Sequence, residues 1–374
     1  MYWINGVTLI LIKSVQNYKS LQTRLLIGFI LRKIGYALLV FAGVITLVFW
    51  LFQGLGDPAR MMMGQSGDPA TVSALRKEFD LDQPKWKQFL AYVNDVSPVS
   101  VYTAASYLSK KPQGYFAGDR YRVGVKWPYL RKSYQNQKEV TAILLDALSG
   151  TLILASAAML FATFLGIFMG TVAAMRKDTW MDTGAVMTSI LGVSAPSFFM
   201  AILISYLFGF VLNRYTGLSM TGSWYDLDVR TGERVLTLHN LILPALTLGI
   251  RPLAIITQLT RSSLLDVLQQ DYIRTAYAKG LSKWKVLWRH ALRNAMNPVI
   301  TAVTGWFAEL LAGAFFVESI FGWKGLGKIT VEALEKLDYP VVMGCVLFAS
   351  FLFVLINILA DVLYRIVDPR IRER

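Results

Sequence analysis

The sequence predicts an all-α polytopic membrane protein, on three observations: it is too apolar for water, it holds six apolar stretches of spanning length, and the basic residues of its shorter connecting segments collect on one side. Of 374 residues, 55% are hydrophobic and 17% charged, with a mean hydropathy of +0.46. Soluble domains run at roughly 45–50% apolar and about 25% charged. A crossing helix needs about 20 mostly apolar residues, and 34–55, 150–175, 184–212, 236–259, 299–321 and 341–364 all reach that length. Six crossings return both termini to one side.

Residues 1–33 form an extension ahead of the first span. Its apolar run at 7–12 is too short to cross, and no small-residue cleavage pattern follows, so no removable signal peptide is expected. The net charge of +14 would suit nucleic acid if it were clustered, but it is distributed by topology. Segments on the amino-terminal side hold 18 Lys and Arg against 6 Asp and Glu; those opposite hold 19 against 15, with 13 of the basic residues in one long loop. Long loops translocate largely regardless of charge, so the short segments decide: both termini are expected in the cytoplasm, in a multi-pass inner-membrane protein whose surface meets lipid. The single cysteine, Cys345, lies in the last span and rules out an intrachain disulfide.

After the first span, 56–148 form a long outer loop ahead of a core running over 149–364 and a tail at 365–374. Within the loop, Val72, Leu75 and Phe79, then Trp86, Phe89, Leu90 and Val93, recur at helical steps broken at Pro84. The stretch 97–128 has no sustained period and reads as irregular, with room for short strands. In the second span Gly166 and Gly170 open one helix face to a close neighbour, within the chain or at a subunit contact. Pro196 removes a backbone hydrogen bond in the third span and predicts a kink, which is either a packing feature or the wall of a cavity.

Four polar residues stand in the later spans: Arg251, Glu309, Asn357 and Asp361. A charge at the bilayer centre costs at least about 2.5 kcal/mol on insertion scales, so each is expected to face protein or water. Arg251 and Glu309 either line a polar pathway, with Glu309 offering a negative site for a cation or an amino terminus, or form a structural ion pair.

The cytoplasmic loop 262–298 reads as two helices. The first, 264–279, ends at Lys279-Gly280, a final-turn cation followed by a residue suited to the left-handed cap. Ser282 caps the second, which Asn297 and Pro298 stop. Two readings stay open on composition: a knob whose small residues Ala276 and Ala278 let it dock in a partner's groove, or an amphipathic pair on the membrane surface with Trp284 and Trp288 at the headgroups.

The string Asp271-Tyr272-Ile273-Arg274-Thr275-Ala276-Tyr277-Ala278-Lys279-Gly280-Leu281, continuing to Arg289-His290-Ala291-Leu292-Arg293-Asn294-Ala295 and Pro298, resembles the cytoplasmic coupling loop of binding-protein-dependent ABC importers, above all the dipeptide, oligopeptide and nickel permeases. Gly56-Asp57-Pro58, Leu81-Asp82-Gln83-Pro84, Val317-Glu318-Ser319-Ile320-Phe321 with Gly325-Leu326-Gly327, Asp338-Tyr339-Pro340-Val341 and Asp368-Pro369-Arg370 follow that group in order. The general pattern has Glu where this chain has Thr275, and the extension and the 97–128 stretch exceed the group's usual pattern. The resemblance implies a six-span permease that pairs with a second, homologous permease, sits on two cytoplasmic ATPase subunits and receives solute from an extracytoplasmic binding protein. It assigns coupling to Asp271, Arg274, Thr275, Ala276, Ala278, Gly280 and Leu281; Arg251, Glu309 and Pro196 stay candidates for pathway lining on their own chemistry. It leaves the solute open among peptide, nickel and others.

No catalytic, cofactor or metal motif accompanies these. Gly322, Gly327 and Lys328 match a phosphate loop as far as the lysine, but Ile329 stands where the loop needs Ser or Thr for magnesium. His239 and His290 fall on opposite sides of the predicted topology, without clustered carboxylates or cysteines. The chain is thus expected not to be an enzyme. The alternative reading is a self-sufficient secondary transporter or channel with Arg251, Glu309 and Asp361 as its ion-coupling residues.

Overall fold

The computed structural model describes residues 28, 32–33, 35–54, 59, 68–78, 81–103, 106–108, 114–119, 121–227, 230, 232–312 and 314–367. Most of the amino-terminal extension, Gly56-Asp57-Pro58, Phe79, the Asp361 side chain and the residues from Asp368 onward lie outside the described set. Four described helices are long and apolar enough to cross a membrane: α1 (Gly35–Gly54), α4 (Val140–Met175), the helical stretch Leu238–Leu268, and Tyr339–Ala360.

The remaining two expected spans differ from their sequence outlines. The third is broken. Helix α5 (Trp180–Ser194) ends at Ala195, and Pro196 starts α6 (Ser197–Ile204), which runs on as a π-helical stretch, Ser205–Val211, followed by the single turn α7 (Asn213–Thr216). The two arms make an angle of 105° and count as one crossing only if taken together. The predicted kink is therefore a corner: Pro196 has no amide to donate into α5, and its backbone is extended at φ −61°, ψ 136°. In place of a span at 299–321, α11 (Leu292–Leu311) begins earlier and ends before a separate short helix, α12 (Phe315–Ile320). Helix α11 carries Arg293, Asn294, Asn297 and Glu309, so it is not uniformly apolar.

The described residues of the stretch expected to form the outer loop are folded. Helices α2 (Pro69–Glu78) and α3 (Lys85–Val96) flank Pro84 as the periodicity predicts. The irregular stretch contains a three-stranded antiparallel sheet, β1 (Val99–Thr103), β2 (Gly114–Ala117) and β3 (Tyr121–Lys126), in the order β1-β3-β2 with Val101 opposite Val123. Asp95 at the end of α3, fully buried, anchors this cap. It accepts from Arg131 Nε at 3.0 Å and from the Tyr102 hydroxyl at 3.4 Å, and its backbone carbonyl takes the Tyr129 amide at 2.9 Å. Burial acts to lower the Arg131 pKa, but the Asp95 charge and hydrogen bond, with Tyr134 and Tyr92, together outweigh it and leave the guanidinium's pKa raised.

Helix α4 has 36 residues, about 54 Å at 1.5 Å per residue, against a hydrocarbon thickness of about 30 Å. Its surplus packs beneath the cap: Val140, Leu144 and Ala147 join Phe49 and Phe52 of α1, Tyr92 of α3 and Val342 and Cys345 of α14 (Tyr339–Val367). Midway, Leu154, Ala158 and Ala162 meet Leu248 and Ile256 of α8 (Ile242–Leu268). Here Gly166 and Gly170 serve close packing inside the chain. A Cβ on Gly166 would lie 2.8 Å from the Ile256 side chain, and one on Gly170 would lie 2.6 Å from Thr260 Cβ.

Gly170→Leu is therefore expected to lower the melting temperature of the detergent-purified protein by several degrees, whereas Gly184→Ala, with open space around it, leaves it unchanged. Equal melting of the two variants in a thermal-shift assay would show that the α4–α8 contact does not limit stability.

Candidate functional site

Two places gather the residues singled out in the sequence, one at each end of α8. At the end away from the cap, α8 runs to Leu268, further than predicted, and the chain turns at Gln269-Gln270 into α9 (Asp271–Ala278). The single helix predicted over 264–279 is thus two, because 264–268 belong to the spanning element. Helix α9 ends in a Schellman cap: the Leu281 amide donates to Ala276 O at 3.3 Å and the Gly280 amide to Tyr277 O at 2.9 Å, with Gly280 at φ +79°. Ser282 then caps α10 (Lys283–Val286), its hydroxyl accepting from the Lys285 amide. The predicted stop at Asn297-Pro298 does not occur. A π-turn over Leu287–Ala291 leads straight into α11, which contains Pro298.

Helix α9 divides cleanly. Ile273 and Ala276 are buried in a cluster with Ala174 of α4, Leu264 of α8 and Leu287, Ala291 and Ala295, with Leu281 packed beside it. Asp271, Tyr272, Arg274, Thr275, Tyr277 and Ala278 are exposed. Ala276, expected to let a partner approach, instead seats α9 on its own chain; Ala278 keeps the outward position. Arg274 pairs with Asp271 at 3.7 Å in water, the Thr275 hydroxyl donates to the Asp271 carbonyl at 3.0 Å, and Asn294 of α11 donates to the Tyr272 hydroxyl at 2.9 Å. Trp284 and Trp288 are exposed. A bidentate pair unforeseen in the sequence ties the same end of the bundle: Arg261 of α8 donates from Nε and from Nη2, the latter at 2.7 Å, to the buried Asp182 of α5.

Towards the cap end lies a cavity of about 170 Å³ whose wall includes Gly192, Ala195, Ser197, Thr247, Arg251, Trp306, Glu309 and Phe316. Arg251 and Glu309 share it, and among the described residues neither side chain forms an ion pair or hydrogen bond. The structural ion pair between them is therefore absent. Pro196 is not itself in the wall, but the residues on either side of it are. Pro252, beside Arg251, removes the helical donor that the carbonyl of Leu248, another wall residue, would otherwise receive. Asn357 turns back on its own helix, donating to Phe353 O at 2.8 Å.

The floor of this cavity depends on a carboxylate that sequence reasoning noted only as part of a motif. Glu318 is fully buried and accepts from Thr151 Oγ1 at 2.9 Å and from the amides of Gly327 at 2.7 Å and Lys328 at 3.2 Å, at the start of α13 (Leu326–Glu335). Trp323 Nε1 donates to Gly150 O at 2.9 Å. Together these bonds fix α12, which contributes Phe315, Phe316 and Val317 to the wall, on α4. The signal available in the sequence was a lone acid ahead of a glycine-rich turn and a helix start, where free amides gather.

The family described as "Binding-protein-dependent transport system inner membrane component" matches residues 146–373, and its amino-terminal companion matches 26–155. The di/tripeptide transport system permease protein of Pseudomonas aeruginosa is 34% identical over 364 residues, covering 93% of this chain and all of that one. The dipeptide transport system permease protein of Escherichia coli is 35% identical over 371 residues, with the same coverage. A putative peptide transport system permease protein of Brucella abortus is 37% identical over 344 residues, covering 92% and 98%. A chain of the inward-facing MetNI methionine ABC transporter overlaps 61% of this chain and 97% of its own at 14% identity, with a TM-score of 0.48.

Removing the Glu318 carboxylate strands two amides and a hydroxyl in the interior, and a hydrogen bond to a charged group is worth about 1.5–3 kcal/mol. Glu318→Ala is accordingly expected to melt earlier than wild type in detergent. Glu332→Ala, which loses a partly exposed pair with Lys328 at 3.7 Å, is expected to stay within about 1 kcal/mol. Indistinguishable melting curves would remove Glu318 from the set of anchoring residues.

Proposed function

The chain belongs to the binding-protein-dependent transport system inner membrane component family, and from that premise we infer that it is a permease subunit of an ATP-driven importer of peptides. In this reading α1, α4, the α5–α6 pair, α8, α11 and α14 make six crossings with both termini in the cytoplasm. A second, homologous permease closes the pathway, two cytoplasmic ATPase subunits sit under α9, and an extracytoplasmic binding protein delivers the peptide on the cap side. Chemistry on ATP belongs to the ATPases. Family membership favours this over a self-sufficient transporter, and the peptide permeases among its relatives favour a peptide over nickel.

The observation that carries the reading is the two-faced geometry of α9. Burial of Ile273 and Ala276 holds the helix to the ends of α4, α8 and the π-turn before α11, while Asp271, Arg274, Thr275 and Ala278 stay in water with no described intrachain surface over them. A helix seated that way passes a push on its outer face into the spans rather than absorbing it. Gly280 and Leu281 complete the cap that keeps the helix short and stiff. On the cap side, Arg251 and Glu309, with the corner at Pro196, line the pathway.

Proline cannot adopt the φ of +79° found at Gly280. Gly280→Pro is expected to let the tagged chain insert and be extracted normally, yet to abolish co-purification of the ATPase subunits and peptide uptake. The measurement is mass spectrometry of everything retained on the tag after gentle extraction from native membranes, for wild type and variant. Recovery of the wild-type chain alone, stable and active in transport, overturns the importer assignment.

A further inference from the structure

The cavity near the cap end holds one cation and one anion that do not satisfy each other. Arg251 stands nine residues after the start of α8, and Glu309 stands in the final turn of α11. Both reach the same space, between walls that are mostly apolar or aromatic: Met200, Leu248, Ile250, Trp306, Phe315 and Phe316. The buried acids of the bundle are handled differently. Asp182 is locked bidentately to Arg261, and Glu318 is enclosed by Thr151 and two amides. Ionisable groups among spanning helices are costly to keep and mark solute paths or partners, and a mostly apolar pocket with a few converging polar groups is the usual form of a small-molecule site.

We propose that Arg251 and Glu309 form a zwitterion cradle in the pathway, which takes a short peptide with both ends free by pairing its ammonium with Glu309 and its carboxylate with Arg251. The proposal rests on the importer reading and deepens it. The guanidinium fork suits a carboxylate bidentately. Glu309 lies in the final turn of α11, where the helix's partial negative charge disfavours another anion and adds attraction for an ammonium. The surrounding apolar wall has no charge to offer a side chain, so it tolerates varied residues between the two ends. A peptide blocked at one end leaves one of the two charges facing an apolar wall without a partner, which is where binding sites discriminate most sharply. The cradle thus checks the two groups that every unmodified short peptide shares and ignores those that differ.

The test uses the complete complex in proteoliposomes, with binding protein loaded to equal, measured occupancy with an unblocked dipeptide, its N-acetyl form or its carboxamide. The wild-type complex is expected to import the unblocked dipeptide at least tenfold faster than either blocked form. In Glu309→Gln the N-acetyl and unblocked rates converge while the carboxamide stays disfavoured. In Arg251→Gln the carboxamide and unblocked rates converge while the N-acetyl form stays disfavoured. Arg251→Lys and Glu309→Asp, which keep the charges, restore the wild-type pattern and separate charge recognition from a defect in folding. Unchanged discrimination in both Gln variants, or an equal fall for all three peptides, overturns the cradle. Absence of binding-protein-stimulated ATP hydrolysis in the wild-type complex overturns instead the importer reading beneath it.

Discussion

The contact between α4 and α8 is the constraint on which the rest of the structure hangs. Lipid tails are as apolar as leucine, so helices in a bilayer gain little from hiding apolar surface and associate through close van der Waals packing instead. Gly166 and Gly170 let the α8 backbone approach until a single added carbon would collide with Ile256 or Thr260. Each remaining part attaches to α4 at a different height. Its cap-end turns hold α1, α3 and α14; Gly150 and Thr151 hold Trp323, Glu318 and α13; and Ala174 at its far end touches the cluster that seats α9. A long helix with one face of small residues can serve as a common axis for all three apolar clusters, which a helix of bulky residues could not do.

How the chain treats its charges separates structure from function. Asp95, Asp182, Glu318 and Asp338 are buried, and each is met by donors: Arg131, Arg261, backbone amides, or, for Asp338, the Ser133 hydroxyl and the Tyr134 amide. Removing any of these partners leaves a charge in a poor solvent, so they act as fasteners. Arg251 and Glu309 lie open to a cavity and lack such partners among the described residues. The exposed Asp271–Arg274 pair of α9 is of the opposite kind again: in water it is worth little and is free to exchange its bonds for those of another surface.

The apolar stretches were legible because hydrocarbon imposes one requirement over some twenty residues, and four of them coincide with long helices. The bend at Pro196 was legible from its missing amide, but its 105° angle and the early end of α11 were not, because composition carries no mark of how far neighbours will bend a stretch or where they will end it. Pro298 misled in the other direction. A lone proline signals a stop only where water is the alternative; here α11 continues, packed on α8 and α14. The Gly280 cap was readable, since a left-handed turn after a cationic final residue has few other solutions. Ala276 was read for its size, and size alone does not say which side of a helix will be covered. The pairing of Arg261 with Asp182, 79 residues apart, had no local signal at all.

The two candidate sites are linked by the same pair of helices. Helix α9 is clamped to Leu264 of α8 through the buried cluster and to Asn294 of α11 through Tyr272. Arg251 lies 13 residues up α8 from the first contact, and Glu309 lies 15 residues along α11 from the second, each about 20 Å at 1.5 Å per residue. Both stretches stay helical through Pro252 and Pro298, so on the proposed reading a push on α9 would carry the two charges with the helix ends that hold it. If α8 and α11 shift unequally, the spacing between guanidinium and carboxylate changes. A cradle that fits a zwitterion at one spacing and not at the other would then bind before the push and release after it. On the proposed reading, joining both charges to α9 through the two helices that carry them would give the chain a mechanical route from that helix to the solute.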